Sequence, residues 1–331
     1  MPTDLTPQQR KALLEQRRRK REKAIWLWKR RVVSFALLVF AFIAALVSVI
    51  LSIAIPLEED APEPVASAAP AVSETAAPTP VPVEAPLGDL WLVNGEYGWD
   101  FDLSFDYANV YEEKIHTYNV RDTDILLAEH IMIPLNRMLM DFDLETGCDD
   151  LLLCAGLRTE EDQQYLRDRG METHGAEHTN TFIALPGYSE HHTGLALDFA
   201  YYDVYTGDSY DFDGTGDEIW ILEHCWEYGF VQRYPAGKID ITGIGTEEWH
   251  FRYVGLPHAK IMYEEDLCLE EYLTYLQQFP YDGEHLTAEQ DGISYEIWYC
   301  PLTDVHYPES GSYTVSGDNC GGLIVTLQNE S

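Results

Sequence analysis

The chain has 331 residues and a formal net charge of −36 at pH 7, which is enough length for one sizeable domain with additional segments. The charge is unevenly distributed: residues 1–31 carry 11 Lys/Arg and 3 Asp/Glu, whereas the other residues carry 10 Lys/Arg and 54 Asp/Glu. Nucleic acid repels such an acidic body, so the composition excludes a nucleic-acid-binding role. It is typical of an exported domain that stays soluble.

A basic tail followed by an apolar segment begins the chain. Residues 1–31 are the tail, and residues 32–55 are uncharged and almost wholly apolar. At about 1.5 Å per residue, a helix over this segment is about 36 Å long, enough to span a hydrocarbon layer of about 30 Å. By the positive-inside rule, we predict a single-pass plasma-membrane protein whose N-terminus is cytoplasmic and whose remaining chain is extracytoplasmic.

Three further segments follow the predicted membrane span. Residues 56–88 are rich in Pro, Ala, Glu, Val, Ser and Thr, and such a segment buries too little apolar surface to fold. We interpret it as a linker that holds the rest of the chain away from the membrane. Residues 89–280 are predicted to form one globular domain, and residues 281–331 a small β-strand appendage.

The globular part contains several predicted elements. Residues 91–95 are predicted to form a short strand and a turn. The apolar spacing over residues 124–142 predicts a helix that Asp124 caps and Pro134 kinks or breaks. The other predicted elements are a buried strand over 150–157, short strands over 230–234 and 249–254, a helix over 257–276, and three or four strands over 292–328.

All six cysteines follow the apolar segment. An even number in an exported domain permits disulfides, but six cysteines allow fifteen connectivities and the sequence does not choose among them. Cys300 and Cys320 flank a turn-rich stretch and are one candidate pair. Cys148 and Cys154 lie at opposite ends of an apolar run, and if that run is a strand they are too far apart to bond each other.

Two histidines and an aspartate are the candidate metal ligands. His191 and Asp198 are seven residues apart, and His250 lies further along the chain. Two imidazoles and one carboxylate suit a catalytic zinc ion, which keeps a fourth position open for water. A carboxylate beside the metal then serves as general base, and Glu247 is our candidate.

Glu247 and His250 can share a site only if the chain is irregular between them. In a regular strand, residues three apart point to opposite faces of the sheet. This assignment therefore requires a turn or a bulge. Glu248 is the competing carboxylate.

The same residues belong to a longer pattern, Ser189-x-His191-x-x-Gly194-x-Ala196-x-Asp198 followed by Glu247-x-Trp249-His250. This pattern resembles the signature of VanY-type D-alanyl-D-alanine carboxypeptidases. The family belongs to a wider group of zinc peptidases that includes VanX dipeptidases and the lysostaphin-like and Hedgehog-like folds. The resemblance extends from about residue 125 to about residue 275, nearly half of the chain. Two differences from the family are Leu157, where it has tyrosine, and Glu248, where it usually has proline.

The resemblance implies a fold and a set of site residues. The fold is α+β, with an antiparallel sheet that cradles the zinc site beside flanking helices. The implied arginine faces the scissile carbonyl, and the implied serine and glutamine contact the substrate peptide. In this sequence the implied residues are the zinc ligands His191, Asp198 and His250, the catalytic residues Glu247 and Arg158, and the substrate-binding residues Ser189 and Gln163.

The implied function is removal of the terminal D-Ala from peptidoglycan stem peptides that end in D-Ala-D-Ala. Such an enzyme remodels the cell wall, and whether this one also confers glycopeptide resistance stays open at this point. Two enzymatic alternatives, a dipeptidase and a peptidoglycan endopeptidase of the same family, remain open at this point. A non-catalytic, zinc-containing wall-binding protein is the alternative from a different class. The sequence does not determine the oligomeric state.

Overall fold

The computed structural model describes residues 85–115, 117–148, 150–202 and 209–330. The predicted tail and membrane span, and nearly all of the predicted linker, lie outside these residues. Within the described ranges, no helix combines the length and the apolar character needed to cross a membrane.

The described part of the chain contains strands and helices mixed along the sequence, followed by four consecutive strands at its C-terminal end. The strands are β1 (Tyr107–Asn109), β2 (Asn119–Val120), β3 (Leu126–Ala128), β4 (Leu151–Ala155), β5 (Ala196–Tyr202), β6 (Ser209–Asp211), β7 (Phe230–Tyr234), β8 (Glu247–Tyr253), β9 (Leu286–Gln290), β10 (Ile293–Pro301), β11 (Ser312–Gly317) and β12 (Gly322–Glu330). The α-helices are α1 (Val110–Glu113), α2 (Met132–Thr146), α3 (Glu160–Thr173), α4 (Gly175–Phe182), α5 (Ile219–His224), α6 (Ile239–Thr242), α7 (His258–Glu264) and α8 (Leu269–Leu276).

A six-stranded sheet forms the centre of the fold. Its strand order is β2-β4-β5-β8-β7, and β6 pairs with the C-terminal end of β5. The predicted antiparallel pairing is present in every pair of this sheet except β2–β4, which is parallel. The register places Asp198 of β5 directly opposite His250 of β8. Residues far apart in the sequence therefore meet at one point of the sheet.

The turn before β5 requires a glycine. Residues Glu190–Thr193 form one 3₁₀ turn that ends at Gly194, whose φ is +74°. A Cβ atom at this position would lie 2.7 Å from the ring of Tyr107. Both the left-handed backbone and the close ring exclude a side chain, so this glycine fixes the direction in which the chain enters β5.

The segment predicted as one helix over residues 124–142 is divided in the structure. Strand β3 and a 3₁₀ turn (Glu129–Ile131) precede α2, which begins at Met132. Pro134 is the third residue of α2, where its missing N–H would have no partner inside the helix, so it does not break the helix. The predicted helix over 257–276 is likewise two helices, α7 and α8.

The first segment that the structure describes is held in place by hydrogen bonds with loops and side chains. The strand predicted over residues 91–95 is not present in it. Leu92 and Val93 are nonetheless buried. The backbone N–H of Leu92 donates to the carbonyl of Asp318, and the Asn319 amide donates to the carbonyl of Leu92. These contacts replace the ladder that a paired strand would make.

The C-terminal appendage is a four-stranded antiparallel sheet of order β11-β12-β10-β9. Ile297 of β10 and Ile324 of β12 belong to the same buried cluster as Leu269, Leu273 and Leu276 of α8. The appendage therefore packs against α8 through an apolar core rather than extending into solvent.

All six cysteines are free thiols in this structure, so the pairing of Cys300 with Cys320 is wrong here. Cys300 lies on β10 opposite Leu323 and is fully buried. Cys320 is exposed in the turn between β11 and β12. The strand register thus places the two residues in different environments.

His258 gives the packed appendage a predictable pH dependence. Its ring nitrogens are hydrogen-bonded to the hydroxyls of Tyr272 and Thr326, at 2.7 and 3.0 Å, and burial lowers its pKa to about 4. The unfolded chain binds this proton near pH 6.5, so stability is lost as the pH falls from about 6.5 towards 4. By linkage, the loss at about pH 5 is about 2 kcal/mol.

Denaturant unfolding of the wild type and of His258→Gln at about pH 7.5 and about pH 5 checks this prediction. The difference between the two proteins isolates His258 from the other titrating groups. We expect the wild type to lose about 2 kcal/mol more than the variant. An equal loss in both proteins would show that His258 is not the group responsible.

Candidate active site

The residues predicted for the site line one cleft of about 220 Å³. All seven are present in its lining: Arg158, Gln163, Ser189, His191, Asp198, Glu247 and His250. The remaining wall includes apolar and aromatic side chains, namely Leu166, Phe182, Ile183, Ile244 and Trp249. The cleft therefore combines a polar end with an apolar wall, as small-ligand sites typically do.

His191, Asp198 and His250 converge in this cleft. Nε2 of His191 is 3.2 Å from Oδ2 of Asp198, and Nδ1 of His250 is 2.8 Å from Oδ1 of the same carboxylate. One ligand atom from each of the three residues lies within 4.8 Å of the others. This spacing matches a group that could hold a single metal ion.

The surrounding groups fix which imidazole nitrogens face the cluster. Nδ1 of His191 lies 2.7 Å from the carbonyl oxygen of Gly156, and a carbonyl can only accept, so Nδ1 donates and Nε2 presents its lone pair. Nε2 of His250 lies 3.4 Å from Oε2 of Glu190, so when this ring is neutral its proton is on Nε2 and Nδ1 presents the lone pair to the cluster. Both rings are thus oriented as metal-binding histidines usually are.

The electrostatics of the cluster favour a positive charge. Burial lowers the pKa of His250, but hydrogen bonds from its ring to Asp198 and Glu190 outweigh burial and raise the pKa to about 9. Burial raises the pKa of Asp198, but the two histidines hold that pKa well below its usual range. Burial and the Arg158 guanidinium lower the pKa of His191 to about 4. An ionised carboxylate with two imidazoles is a donor set that fits zinc.

A bulge brings Glu247 into the cleft beside His250. Between the pairs Gln232–Phe251 and Tyr234–Glu247, β7 advances two residues while β8 advances four. The extra residues re-aim the side chains at the end of β8, as bulges near active sites do. The irregularity that the sequence interpretation required is therefore present.

Glu247 is a buried carboxylate whose pKa lies above the usual range of a glutamate. Burial raises its pKa to about 8 in the metal-free protein, and the nearby carboxylates of Asp198 and Glu190 add to this rise. His250 and Arg158 oppose it. A bound cation would lower the pKa from this value towards the working pH.

Glu248, the competing carboxylate, takes another direction. It is absent from the cleft lining. Its side chain lies beside Gly214 instead, since a Cβ atom added to Gly214 would be 3.1 Å from Cγ of Glu248. Gly214 belongs to the acidic loop before α5. Glu248 is therefore a control position for Glu247 in the same strand.

Arg158 is held at the edge of the cleft by two contacts. Its Nη1 donates to Oε1 of Gln163 at 2.7 Å, and its Nη2 is 3.8 Å from Oδ2 of Asp198. Gln163 is itself fixed, because its Nε2 donates to the carbonyl of Ala184 at 2.8 Å. The Thr159 hydroxyl caps α3 by accepting from the N–H of Asp162, which sets where Gln163 lies.

His192 links the Arg158 backbone to the turn that carries Ser189. Its Nε2 accepts from the N–H of Gly187 at 3.1 Å, and its Nδ1 therefore donates to the carbonyl of Arg158 at 2.7 Å. Both ring nitrogens are used in this way, so His192 presents no free nitrogen to the metal-ligand cluster in this structure.

The sequence interpretation did not identify the residues behind His250. Glu190, Arg233 and Arg252 are fully buried there as ion pairs, and the ring of Tyr234 stacks on His250 with centroids 5.0 Å apart. The available signal was an acid next to His191 together with one arginine in each of two strands, β7 and β8. The spacing of these residues alone does not indicate that they meet.

Comparison with known proteins gives the family. The family model described as VanY, D-alanyl-D-alanine carboxypeptidase, matches residues 125–256. A D-alanyl-D-alanine carboxypeptidase of Enterococcus faecium is 35% identical over 248 residues, which are 72% of this chain and 75% of that relative. The chain belongs to the VanY family. The resemblance seen in the sequence motifs is thereby confirmed, as is the assignment to the carboxypeptidase class of enzymes.

Two VanXY proteins are also similar to this VanY family member. The bifunctional D-Ala-D-Ala dipeptidase and D-Ala-D-Ala carboxypeptidase VanXYC of Enterococcus gallinarum is 37% identical over 159 residues, 47% of this chain and 82% of the relative. The crystal structure of the vancomycin resistance D,D-dipeptidase VanXYg in complex with a D-Ala-D-Ala phosphinate analog superposes with a TM-score of 0.64 and 32% identity, covering 73% of this chain and 94% of that one. The mixed α/β architecture is therefore shared with these enzymes.

Proposed function

We propose that this chain is a zinc-dependent D-alanyl-D-alanine carboxypeptidase that removes the terminal D-Ala from peptidoglycan stem peptides. The observation that carries this proposal is the meeting, in one cleft, of three metal-ligand side chains with Glu247 and Arg158. The apolar part of the wall suits the methyl groups of alanine residues. By this proposal the enzyme remodels the cell wall and lowers the amount of D-Ala-D-Ala ends available to glycopeptide antibiotics.

His191, Asp198 and His250 would hold the zinc ion. When bound, zinc supplies Lewis acidity, which makes a nearby water more acidic and the scissile carbonyl more electrophilic. Glu247 takes the proton of the attacking water and delivers it to the leaving amine. Arg158 donates hydrogen bonds to the carbonyl oxygen as negative charge develops there. Ser189 and Gln163 border the cleft and orient the peptide and Arg158, respectively.

The proposed location is the outer face of the plasma membrane. It rests on the sequence, in which a basic tail precedes an apolar segment and an acidic body follows a Pro- and Ala-rich stretch. In this arrangement the segment over residues 32–55 anchors the protein, and the linker lets the cleft reach stem peptides in the wall.

A dipeptidase is the second candidate, because two VanXY proteins resemble this chain and one of them is named as bifunctional. A dipeptidase requires a cleft that closes on a free amino group, whereas a carboxypeptidase requires a cleft that stays open to the longer peptide. The difference is therefore visible in the products.

The test is to incubate the full chain, in detergent and with zinc, with a pentapeptide ending in D-Ala-D-Ala and separately with free D-Ala-D-Ala. Mass spectrometry identifies the products. We expect loss of one alanine from the pentapeptide. Cleavage of the free dipeptide alone would make the protein a dipeptidase, and an internal cut would make it an endopeptidase. Bound zinc without any cleavage would favour a non-catalytic wall-binding protein.

A further inference from the structure

A fully buried carboxylate lies directly behind one of the proposed zinc ligands. Glu190 belongs to the 3₁₀ turn before β5, and its side chain is completely inaccessible to solvent. It contacts three groups: Arg233, Arg252 and His250. An ionised group at such depth is costly unless its partners are well placed, so the arrangement of these three partners is informative.

The two oxygens of Glu190 have different partners. Oε1 accepts from Nε of Arg233 at 2.8 Å and from Nη1 of Arg252 at 2.9 Å. Oε2 faces Nε2 of His250 at 3.4 Å. One oxygen is therefore occupied by the arginines, and the other is available to the imidazole.

The arginines cannot easily release the carboxylate, because each is fixed on its other side. Nη1 and Nη2 of Arg233 form a bidentate salt bridge with the carboxylate of Glu270 in α8, at 2.9 and 2.6 Å. Nη2 of Arg252 donates to the carbonyls of Asp89 and Trp91, both at 2.9 Å. Guanidinium groups held in this way fix both the position and the rotation of the Glu190 carboxylate.

We propose that Glu190 is a positioning residue that holds His250 in the tautomer whose Nδ1 binds zinc, and that Arg233 and Arg252 lock the carboxylate for this task. The proposal rests on the zinc site of the proposed function. Glu190 is not one of the three proposed metal ligands, and its side chain is inaccessible to solvent. It acts through His250, in the manner of the carboxylate–histidine–metal arrangements found at zinc sites.

A negatively charged carboxylate at this position should strengthen zinc binding more than a neutral hydrogen-bond acceptor would. The carbonyl of Gly156 already selects the tautomer of His191, so neutral acceptors suffice for that task. A negative charge beside Nε2 also makes the lone pair of Nδ1 more basic, so His250 binds a cation more tightly through Nδ1. Loss of the charge should therefore weaken zinc binding even where the fold survives.

Glu190→Gln tests the proposal directly, because the two arginines determine the orientation of the glutamine amide group. Arg233 and Arg252 carry only donors, so they would take the amide oxygen and turn the amide NH₂ towards His250. That NH₂ would oppose the Nε2–H and favour the tautomer with hydrogen on Nδ1. We expect zinc affinity to fall by about 10- to 100-fold, measured on the full chain in detergent by competition with a chelator of known affinity.

Glu270→Gln is the matched control. It also removes one negative charge from Arg233, but Glu270 contacts Arg233 and Asn94 and not His250. We expect zinc affinity within about three-fold of wild type, since the metal ligands keep their partners. Equal losses in the two variants, or an unchanged affinity in Glu190→Gln, would overturn the proposal. A wild type that binds no zinc would instead overturn the zinc site itself.

Glu190→Asp covers the case in which Glu190→Gln does not fold, as judged by circular dichroism. Aspartate keeps the charge for the arginines but withdraws the carboxylate from His250 by one methylene. Weaker zinc binding than in Glu270→Gln then supports the proposal, and equal binding overturns it.

Discussion

Glu247→Gln is expected to lower kcat for the D-Ala-D-Ala pentapeptide by about 10³-fold, because glutamine cannot accept the proton of the attacking water. The substitution preserves the size of the side chain, and Glu247 is not one of the three proposed ligands, so one zinc ion should still bind per chain. Steady-state kinetics with a metal assay on the same sample measure both quantities.

The pH dependence of kcat provides a second readout for Glu247. Protonated Glu247 cannot act as a base, so the wild-type rate should fall as the pH drops below the pKa of this group. That pKa is raised to about 8 by burial in the metal-free protein, and a bound cation lowers it, which places the acid limb below about pH 8. The residual activity of Glu247→Gln should lack this limb.

Glu248→Gln is the control for Glu247, because it removes the neighbouring carboxylate from the same strand but outside the cleft. We expect less than about a three-fold change in kcat for this variant, as for a side chain that takes no part in proton transfer. A large loss in Glu248→Gln together with a small loss in Glu247→Gln would reverse the assignment of the base.

Arg158→Met is expected to lower kcat by about 10²- to 10³-fold, the usual effect of removing one donor to a developing oxyanion. Methionine keeps much of the length of the side chain but removes every donor and the charge. Burial lowers the pKa of Arg158, but arginine keeps its charge in proteins. The donor is therefore present throughout the working pH range, and the loss should be independent of pH.

The division between kcat and KM separates two roles for Arg158. An interaction made only in the transition state lowers kcat, whereas uniform binding of the peptide raises KM alone. A variant with a raised KM and an unchanged kcat would show that Arg158 binds the substrate carboxylate rather than the oxyanion. Arg169→Met, an exposed arginine of α3 whose Nη1 contacts Tyr165 at 3.5 Å, should change neither constant.

His191 and Asp198 could be proposed as metal ligands from the sequence because their residue types suit zinc and they lie close together in the chain, whereas His250 was proposed from the Glu247-x-Trp249-His250 pattern. His191 and Asp198 are seven residues apart, and the left-handed Gly194 between them marks the turn. What could not be found is the register that places Asp198 opposite His250. That register depends on pairing across 52 residues of chain, which local patterns do not encode.

The buried charges behind His250 were missed for the same physical reason. Glu190 meets Arg233 and Arg252 across 43 and 62 residues, so no short motif contains the set. Each charge alone resembles a surface residue, since buried charges are exceptional. Only the fold shows that they neutralise one another.

Periodicity failed where a short strand preceded a helix. Apolar residues continue at helical spacing from Ile125, yet β3 pairs with β1 before α2 begins. Tertiary pairing therefore overrode the local pattern at this end, and Pro134 was harmless because it lies in the first turn of the helix. The strand predicted over residues 230–234 is present with the same bounds as β7, because its β-forming residues Phe230, Val231 and Tyr234 lie between Gly229 and Pro235.

The contacts of the N-terminal segment decide where a recombinant fragment can start. The carbonyl of Pro86 accepts from the N–H of Gly317, and the N–H of Leu90 donates to the hydroxyl of Ser316. A fragment cut just before Leu90 would lose the Pro86 acceptor and also the carbonyl of Asp89 that receives Arg252. A soluble version for crystallisation or inhibitor screening should therefore begin at or before Ala85, so that the buried charges behind the proposed zinc site keep their partners.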